Sequence, residues 1–467
     1  MLPVGILKQL QAIVGREHVL TSPEELVCYS YDSTPVVSTP DAVVVPGSTQ
    51  EISEIMRLAN RERVPVVPRG SGTDLSGGTV PLRKGIVLST ARLNKILEID
   101  EQNLTATLQP AVITGQLQAA VERLGLFYPP DPSSLGVSTI GGNVAEGAGG
   151  ARCLKYGTTK DYVLGLEVVL ASGDLIRTGG KTVKNVSGYN LTQLFVGSEG
   201  TLGVVTEVTV RLIPLPEAKQ TLLAVFGDLD DAARTVSAII AAKIVPTTLE
   251  LIDGTSIKKI EAYRSLGYPL DAEAVLLIEV DGSEVEVQRQ TGRVEDIVRA
   301  NGARELRVAR NGDEADHLWL GRRVSFAALA RSKPTAVTED VTVPRAKVPA
   351  LVRRLKELAR KYDLDVAIMG HAGDGNMHPL VMTDFRDKDE MARMNKFFDE
   401  TFRITLELGG TLTGEHGIGL LKAPYMKMQF GKEGVEAMRA IKLALDPNNI
   451  LNPGKIIPDG SDETEPR

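Results

Sequence analysis

Hydrophobic and polar positions alternate along the chain in two rhythms. Apolar residues at helical spacing over 3–14 and 50–61 predict amphipathic helices. Ser48-Thr49-Gln50-Glu51 supplies a capping box in front of the second. Short β-branched runs predict strands at Val64–Val67, Gly85–Ser89, Leu104–Pro110, 163–170 and 204–213, with a helix near 115–124. Between 133 and 157 glycine is frequent and no clean period survives. Ile213-Pro214-Leu215-Pro216 breaks the pattern, and a domain boundary is expected just after it. Beyond Thr221 the rhythm changes. Strands near 221–226, 248–253, 274–281, 364–370 and 377–383 alternate with helices near 229–242, 286–299 and 349–361. Helices follow near 388–408 and 433–444. Such an order predicts an α+β domain built on an antiparallel sheet. Residues 459–467 are polar and charged, and disorder is expected there.

A length of 467 residues exceeds one ordinary core, so more than one domain is expected. A net charge of -7 disfavours a nucleic-acid surface, which needs a clustered basic face. Lys8, Arg16 and Glu17 interrupt the first apolar residues, so a signal peptide is not expected. No apolar run approaches the length of a membrane span. The 2 cysteines, Cys28 and Cys153, are too few for a disulfide framework or a cysteine-ligated iron–sulfur cluster. A reducing cytoplasm is the expected compartment, at the membrane periphery only if a partner subunit holds the chain there.

Chemistry concentrates in glycine-flanked loops. Arg69-Gly70-Ser71-Gly72-Thr73, running on into Ser76-Gly77-Gly78, follows a strand. Small residues of this kind leave backbone N–H groups free to converge on an anion. The spacing is neither a dinucleotide G-x-G-x-x-G nor a Walker A motif. A second cluster runs Asp131-Pro132-Ser133-Ser134, Thr139-Ile140-Gly141-Gly142-Asn143 and Gly147-Ala148-Gly149-Gly150. A third is Gly197-Ser198-Glu199-Gly200-Thr201-Leu202-Gly203-Val204-Val205-Thr206. Three such loops suit a long ligand such as a dinucleotide.

Order and spacing over about 38–217 resemble the FAD domain of the vanillyl-alcohol oxidase / p-cresol methylhydroxylase family. The resemblance implies that Arg69, Gly70, Ser71, Gly72 and Thr73, with Ser76, hold the FAD pyrophosphate. It places Pro132, Ser133, Thr139, Gly142, Asn143, Gly149 and Tyr156 along the ribityl chain and flavin, and Val205 near the adenine. Of the 5 histidines none lies in the pyrophosphate loop, so FAD is expected to be non-covalent.

Gly370-His371-Ala372-Gly373-Asp374-Gly375-Asn376-Met377-His378 lies between apolar runs and predicts a β-hairpin. Asp374-Gly375 suits a two-residue type I′ turn. That turn would set His371 directly opposite His378, with Cβ atoms roughly 4.5–5.5 Å apart, so that both could ligate one ion. Downstream, Gly414-Glu415-His416-Gly417 suggests another loop reaching into a site. His18 and His317 read as surface or packing positions.

The two histidine motifs resemble the C-terminal half of FAD-linked 2-hydroxy-acid dehydrogenases, over about 218–456. Glycolate oxidase flavin subunits, D-lactate dehydrogenases and D-2-hydroxyglutarate dehydrogenase belong to that group. The resemblance implies a divalent metal (zinc, manganese or iron) on His371, His378 and Glu415. It implies His416 as general base, Arg322 as the grip on the substrate carboxylate, and Asn452 and Lys455 on a segment returning to the flavin. The implied fold is α+β: a two-subdomain p-cresol methylhydroxylase-type FAD-binding domain over 1–217 and a cap domain over 218–415. A segment over 416–458 would return to the flavin. One departure matters. Hydroxyglutarate enzymes carry a lysine for the distal carboxylate where Thr338 stands here, so glycolate or D-lactate is favoured over a diacid.

The expected reaction is oxidation of a small D-2-hydroxy acid to the 2-oxo acid. Electrons would leave to a partner, either an iron–sulfur subunit or an electron-transferring flavoprotein; a homodimer is compatible with the sequence. The alternatives are a larger D-2-hydroxy acid such as D-2-hydroxyglutarate, a non-catalytic flavin electron-transfer subunit, and a metal-dependent hydrolase that leaves the glycine loops unexplained.

Overall fold

The computed structural model describes residues 2–458, and the tail at 459–467 lies outside the described residues. The chain divides into two compact units. The first holds residues up to Gly150, then Gly157–Leu215, and the chain again from Glu415. The second holds Ala151–Tyr156 and Pro216–Gly414.

In the first unit, helix Val4–Val14 buries Ile6, Leu10 and Val14 at helical spacing. Helix Thr49–Glu62 starts on Ser48, whose hydroxyl accepts the Glu51 N–H at 3.2 Å. The expected capping box is half formed, because Glu51 takes the Gly47 N–H at 2.7 Å. A four-stranded sheet runs 19–20, 42–44, 86–89, 66–69, the last three strands parallel. A five-stranded antiparallel sheet runs 96–100, 105–108, 204–211, 163–169, 175–179. Near the C-terminus the chain rejoins the smaller sheet: Val66 donates to Ile450 O and accepts from Asn452 N, each at 2.8 Å.

Sequence periodicity misses helix Ile140–Glu146. Gly141 and Gly142 weaken it by propensity, yet it forms because Thr139 caps it and Gly141 N–H reaches Pro110 O at 2.7 Å. A side chain at Gly141 would lie 2.5 Å from the Pro110 ring.

The second unit is organised by one eight-stranded sheet. Its order is 303–308, 218–226, 274–282, 248–253, 365–371, 376–383, 335–338, with 341–342 also paired to 376–383. All pairings are antiparallel. Leu223, Val225, Ile252, Val275 and Leu277 form an apolar cluster with helices Gly254–Tyr263 and Gly312–Ala330. The register puts Glu250 opposite Leu277 and His371 opposite Glu250. Residues directly opposite in a ladder share a face. One face of the sheet is therefore apolar where these two helices cover it and polar toward Glu250, Glu279, Asp281 and the histidines.

Helix Gly312–Ala330 is a second element the sequence pattern does not reveal. It faces an apolar cluster and a polar site at once, so its apolar residues do not collect on one stripe.

Candidate active site

The hairpin corrects the expected turn. His371 pairs with Asn376 and Met369 with His378, so the connection is 372–375 and no two-residue turn forms. Only Gly375 (φ 95°) of the Asp374-Gly375 pair has positive φ, whereas type I′ needs both. The cause is tertiary: Gly373 N–H bonds Leu249 O on the neighbouring strand at 3.1 Å, and Asp374 and Gly375 N–H groups both turn back to His371 O. His371 and His378 are thus diagonal neighbours rather than opposite. Both still project to one face, and their rings meet edge-on with centroids 5.2 Å apart.

Asp340 anchors the chain that follows. Fully buried, it accepts Gly414 N–H at 2.6 Å and the Thr413 hydroxyl at 2.8 Å. Asn376 lies against the same glycine: a side chain at Gly414 would sit 2.5 Å from Asn376 Nδ2. Glu415 is one peptide bond further on. His371, His378 and Glu415 each offer one ligand atom, and these atoms lie within 4.8 Å of one another. Two imidazoles and one carboxylate in that space suit a divalent ion with N and O ligands.

Behind the histidines stands a residue that sequence reasoning did not single out. Glu250 is completely buried. Its Oε1 meets His371 Nδ1 at 2.5 Å, and its Oε2 accepts from Arg322 Nε at 2.7 Å. Burial alone would raise the Glu250 carboxyl, but His371 and then Arg322 beside it hold it down at about 2. A lone glutamate inside the apolar strand Thr248–Asp253 was the available signal, since a carboxylate is not buried without partners.

Trp319 and Arg322 sit three apart on one helix and so share a side. Trp319 Nε1 donates to Glu279 at 3.1 Å while Arg322 reaches Glu250. Arg323 is exposed and pairs with Asp316 on the surface. Thr338 is half-buried and pairs with Leu380, which shares the His378 face. Tyr156 belongs to this unit: its hydroxyl donates to Asp281 at 2.9 Å, beside the Lys155–Asp281 ion pair.

In the first unit the glycine loops converge. Ser71 Oγ donates to Val137 O at 2.6 Å, and a side chain at Gly70 would lie 2.4 Å from Thr139 Oγ1. Gly142 N–H caps onto Thr139, and Asn143 Nδ2 donates to Thr114 Oγ1 at 2.8 Å. Pro132 O accepts from Leu135 N, next to exposed Ser133, and Gly149 is buried. Gly197 and Glu199 donate to Val144 and Ala145 carbonyls. Asn452 stitches the loops, its Nδ2 donating to Gly78 O at 2.8 Å and Glu199 O at 2.7 Å.

Arg69 folds back inside its own loop. It is buried, donates to Thr79 Oγ1 at 3.1 Å and lies over the Tyr29 ring. Its guanidinium fills the space beside Gly72, where a Cβ would meet it at 2.2 Å, so only glycine fits (φ 68°). Ser76 O accepts Leu420 N–H, Thr73 is half-buried, and Val205 lies on strand Val204–Arg211. His416 is half-buried and follows Glu415; beyond it, Ile418 and Gly419 N–H groups both bond Glu199 at 2.7 Å. Of the remaining histidines His317 is exposed and His18 half-buried.

Asn452 Oδ1 is buried without a protein partner among the described residues. A bound group with an N–H donor, such as FAD carries, would satisfy it.

Comparison with known proteins gives one answer along the whole chain. Residues 40–179 match a family described as FAD binding domain, and residues 215–456 match FAD linked oxidases, C-terminal domain. Glycolate oxidase subunit GlcD of Bacillus subtilis is 54% identical, covering 98% of this chain and 97% of its own. A D-lactate dehydrogenase of Archaeoglobus fulgidus is 38% identical, covering 92% and 95%. Among solved structures, p-cresol methylhydroxylase superposes with a TM-score of 0.81 over 98% of both chains at 19% identity, a likeness of fold. From the first of these matches to the last, the chain belongs to the FAD-linked oxidases.

Proposed function

We propose that this protein oxidises a small D-2-hydroxy acid, glycolate or D-lactate, to the 2-oxo acid with non-covalent FAD and one divalent ion on His371, His378 and Glu415. The observation that carries this reading is the convergence of those three ligands, backed by a Glu250 that also holds Arg322. The GlcD and D-lactate dehydrogenase names of its relatives support the substrate class.

When bound, FAD supplies the hydride acceptor and the metal ion a Lewis acid for the hydroxyl. Arg322 binds the substrate carboxylate and fixes its orientation. His416 takes the hydroxyl proton as general base. Thr338 offers no positive charge to a distal carboxylate, which favours a monoacid. Residues 1–217 serve as the FAD domain, 218–415 as the cap, and 416–458 return to the flavin with Asn452. Arg69 to Thr73 with Ser76, the 132–143 loop, Gly149, Tyr156 and Val205 serve the cofactor.

Electrons pass to a partner protein, an iron–sulfur subunit or an electron-transferring flavoprotein, as suits a relative named as a subunit. No helix is long and apolar enough to cross a membrane among the described residues. The cytoplasm is the proposed compartment, with any membrane association made through such a partner.

The test is an anaerobic titration of the purified flavoprotein with glycolate, D-lactate, L-lactate and D-2-hydroxyglutarate, with and without chelator. Flavin bleaching by glycolate or D-lactate, lost with chelator, is the expected result. Bleaching by the diacid alone, or none by any acid, overturns the reading. His416→Ala is expected to slow reduction about 10²–10⁴-fold; reduction at the parent rate rules out the base role.

A further inference from the structure

Glu250 touches two residues with different tasks. It is fully buried, and each oxygen is committed: one to His371 Nδ1 at 2.5 Å, the other to Arg322 Nε at 2.7 Å. A buried ion pair is weak evidence of a stability role, because replacing both partners with apolar side chains is often neutral or stabilising. The flanking Leu249 and Leu251 show what the strand otherwise carries.

We propose that Glu250 is a positioning residue that locks the metal centre and the carboxylate grip in register. This deepens the function proposed above and rests on it. A neutral imidazole carries one N–H, and a carboxylate at Nδ1 holds the proton there. Nε2 of His371 is then the nitrogen left to ligate an ion, with the ring plane set by the same bond. The second oxygen takes Arg322 by Nε, which leaves the Nη edge to meet a substrate carboxylate. A 2-hydroxy acid carries its hydroxyl and carboxylate on adjacent carbons at a nearly constant separation. One rigid carboxylate behind both binding groups keeps their spacing matched to that separation.

The experiment compares the FAD-loaded parent protein with Glu250→Gln, which keeps shape and removes the charge. Zinc or manganese ion is titrated against a competing chelator. Metal affinity of the folded protein is expected to fall about 10–100-fold, with KM for the active 2-hydroxy acid raised, FAD content close to the parent, and Tm lowered because Arg322 loses its counter-charge. Unchanged metal affinity in E250Q overturns the proposal, since a packing role alone would lower Tm and leave metal binding of the folded protein intact. A parent protein that binds neither ion overturns the functional reading itself. A second measurement needs no variant: in zinc-loaded parent protein labelled with ¹⁵N-histidine, the His371 ring is expected to carry its proton on Nδ1. A proton on Nε2 overturns the proposal even if E250Q does not fold.

Discussion

Asp32, Asp74, Glu146 and Glu199 in the first unit gather around the glycine loops with Lys455 as their interior cation. Lys455 donates to the Gly77 and Val80 carbonyls. In the second unit, Glu250 meets Arg322 and His371, Asp253 meets Lys356 at 2.6 Å, and Asp281 meets Lys155 and Tyr156. The acids respond in opposite directions. Burial and then Asp74 push Asp32 up to about 7; burial pushes Glu199 to about 7 against its two backbone donors; burial and then Glu199 push Glu146 well up. Glu250, buried as deeply, is held at about 2. The partner, rather than depth, decides which form a buried acid takes.

The sign of the pH dependence follows. Asp32 and Glu199 have folded pKa values above their unfolded ones. Their stabilising contribution is complete below about pH 4 and is lost as pH rises through about 7. Glu250 is depressed, so its contribution is complete above about pH 4.5 and lost as pH falls through about 2.

Removing a partnered acid is the harshest way to sharpen the contrast. Glu250→Ala strands Arg322 and is expected to cost about 3–5 kcal/mol in denaturant unfolding at pH 7. Glu199→Gln comes next, because Ile418 and Gly419 N–H groups bond separate Glu199 oxygens and the amide replaces one of them with a donor. A loss of about 1–3 kcal/mol is expected, together with faster hydrogen exchange at 418–419. Asp32→Asn should change sign: a gain of about 1 kcal/mol at pH 8 that vanishes at pH 4, in the same assay at both pH values. A loss at pH 8 would break the comparison. The smallest effect belongs to the surface pair Arg310–Glu314, where Arg310→Ala should leave the unfolding midpoint unchanged in the same assay.

Much of this was legible in the residues. Helix Thr49–Glu62 announces itself because its apolar spacing matches the face it buries, and strand Ala274–Gly282 because its apolar run is buried on both faces. The three glycine loops and the histidine pair stand out because their composition is costly unless something uses it. Helix Gly312–Ala330 was hidden, since its inward side serves both Leu277 and Glu250 and so has no single polarity. Glu250 itself read as one acid in an apolar strand, and its two partners lie 121 and 72 residues away along the chain.

What the sequence alone determined was local: which segments extend or coil, where the backbone is bare enough to approach a ligand, and which histidines and carboxylates are available. These follow from side-chain size and period, which act between near neighbours. Tertiary structure alone decided the hairpin register, through the bond from Gly373 to Leu249 on another strand, and chose Glu250 as the carboxylate behind His371 and Arg322. Such choices depend on the packing of the whole sheet at once, and no window along the chain contains the residues that make them.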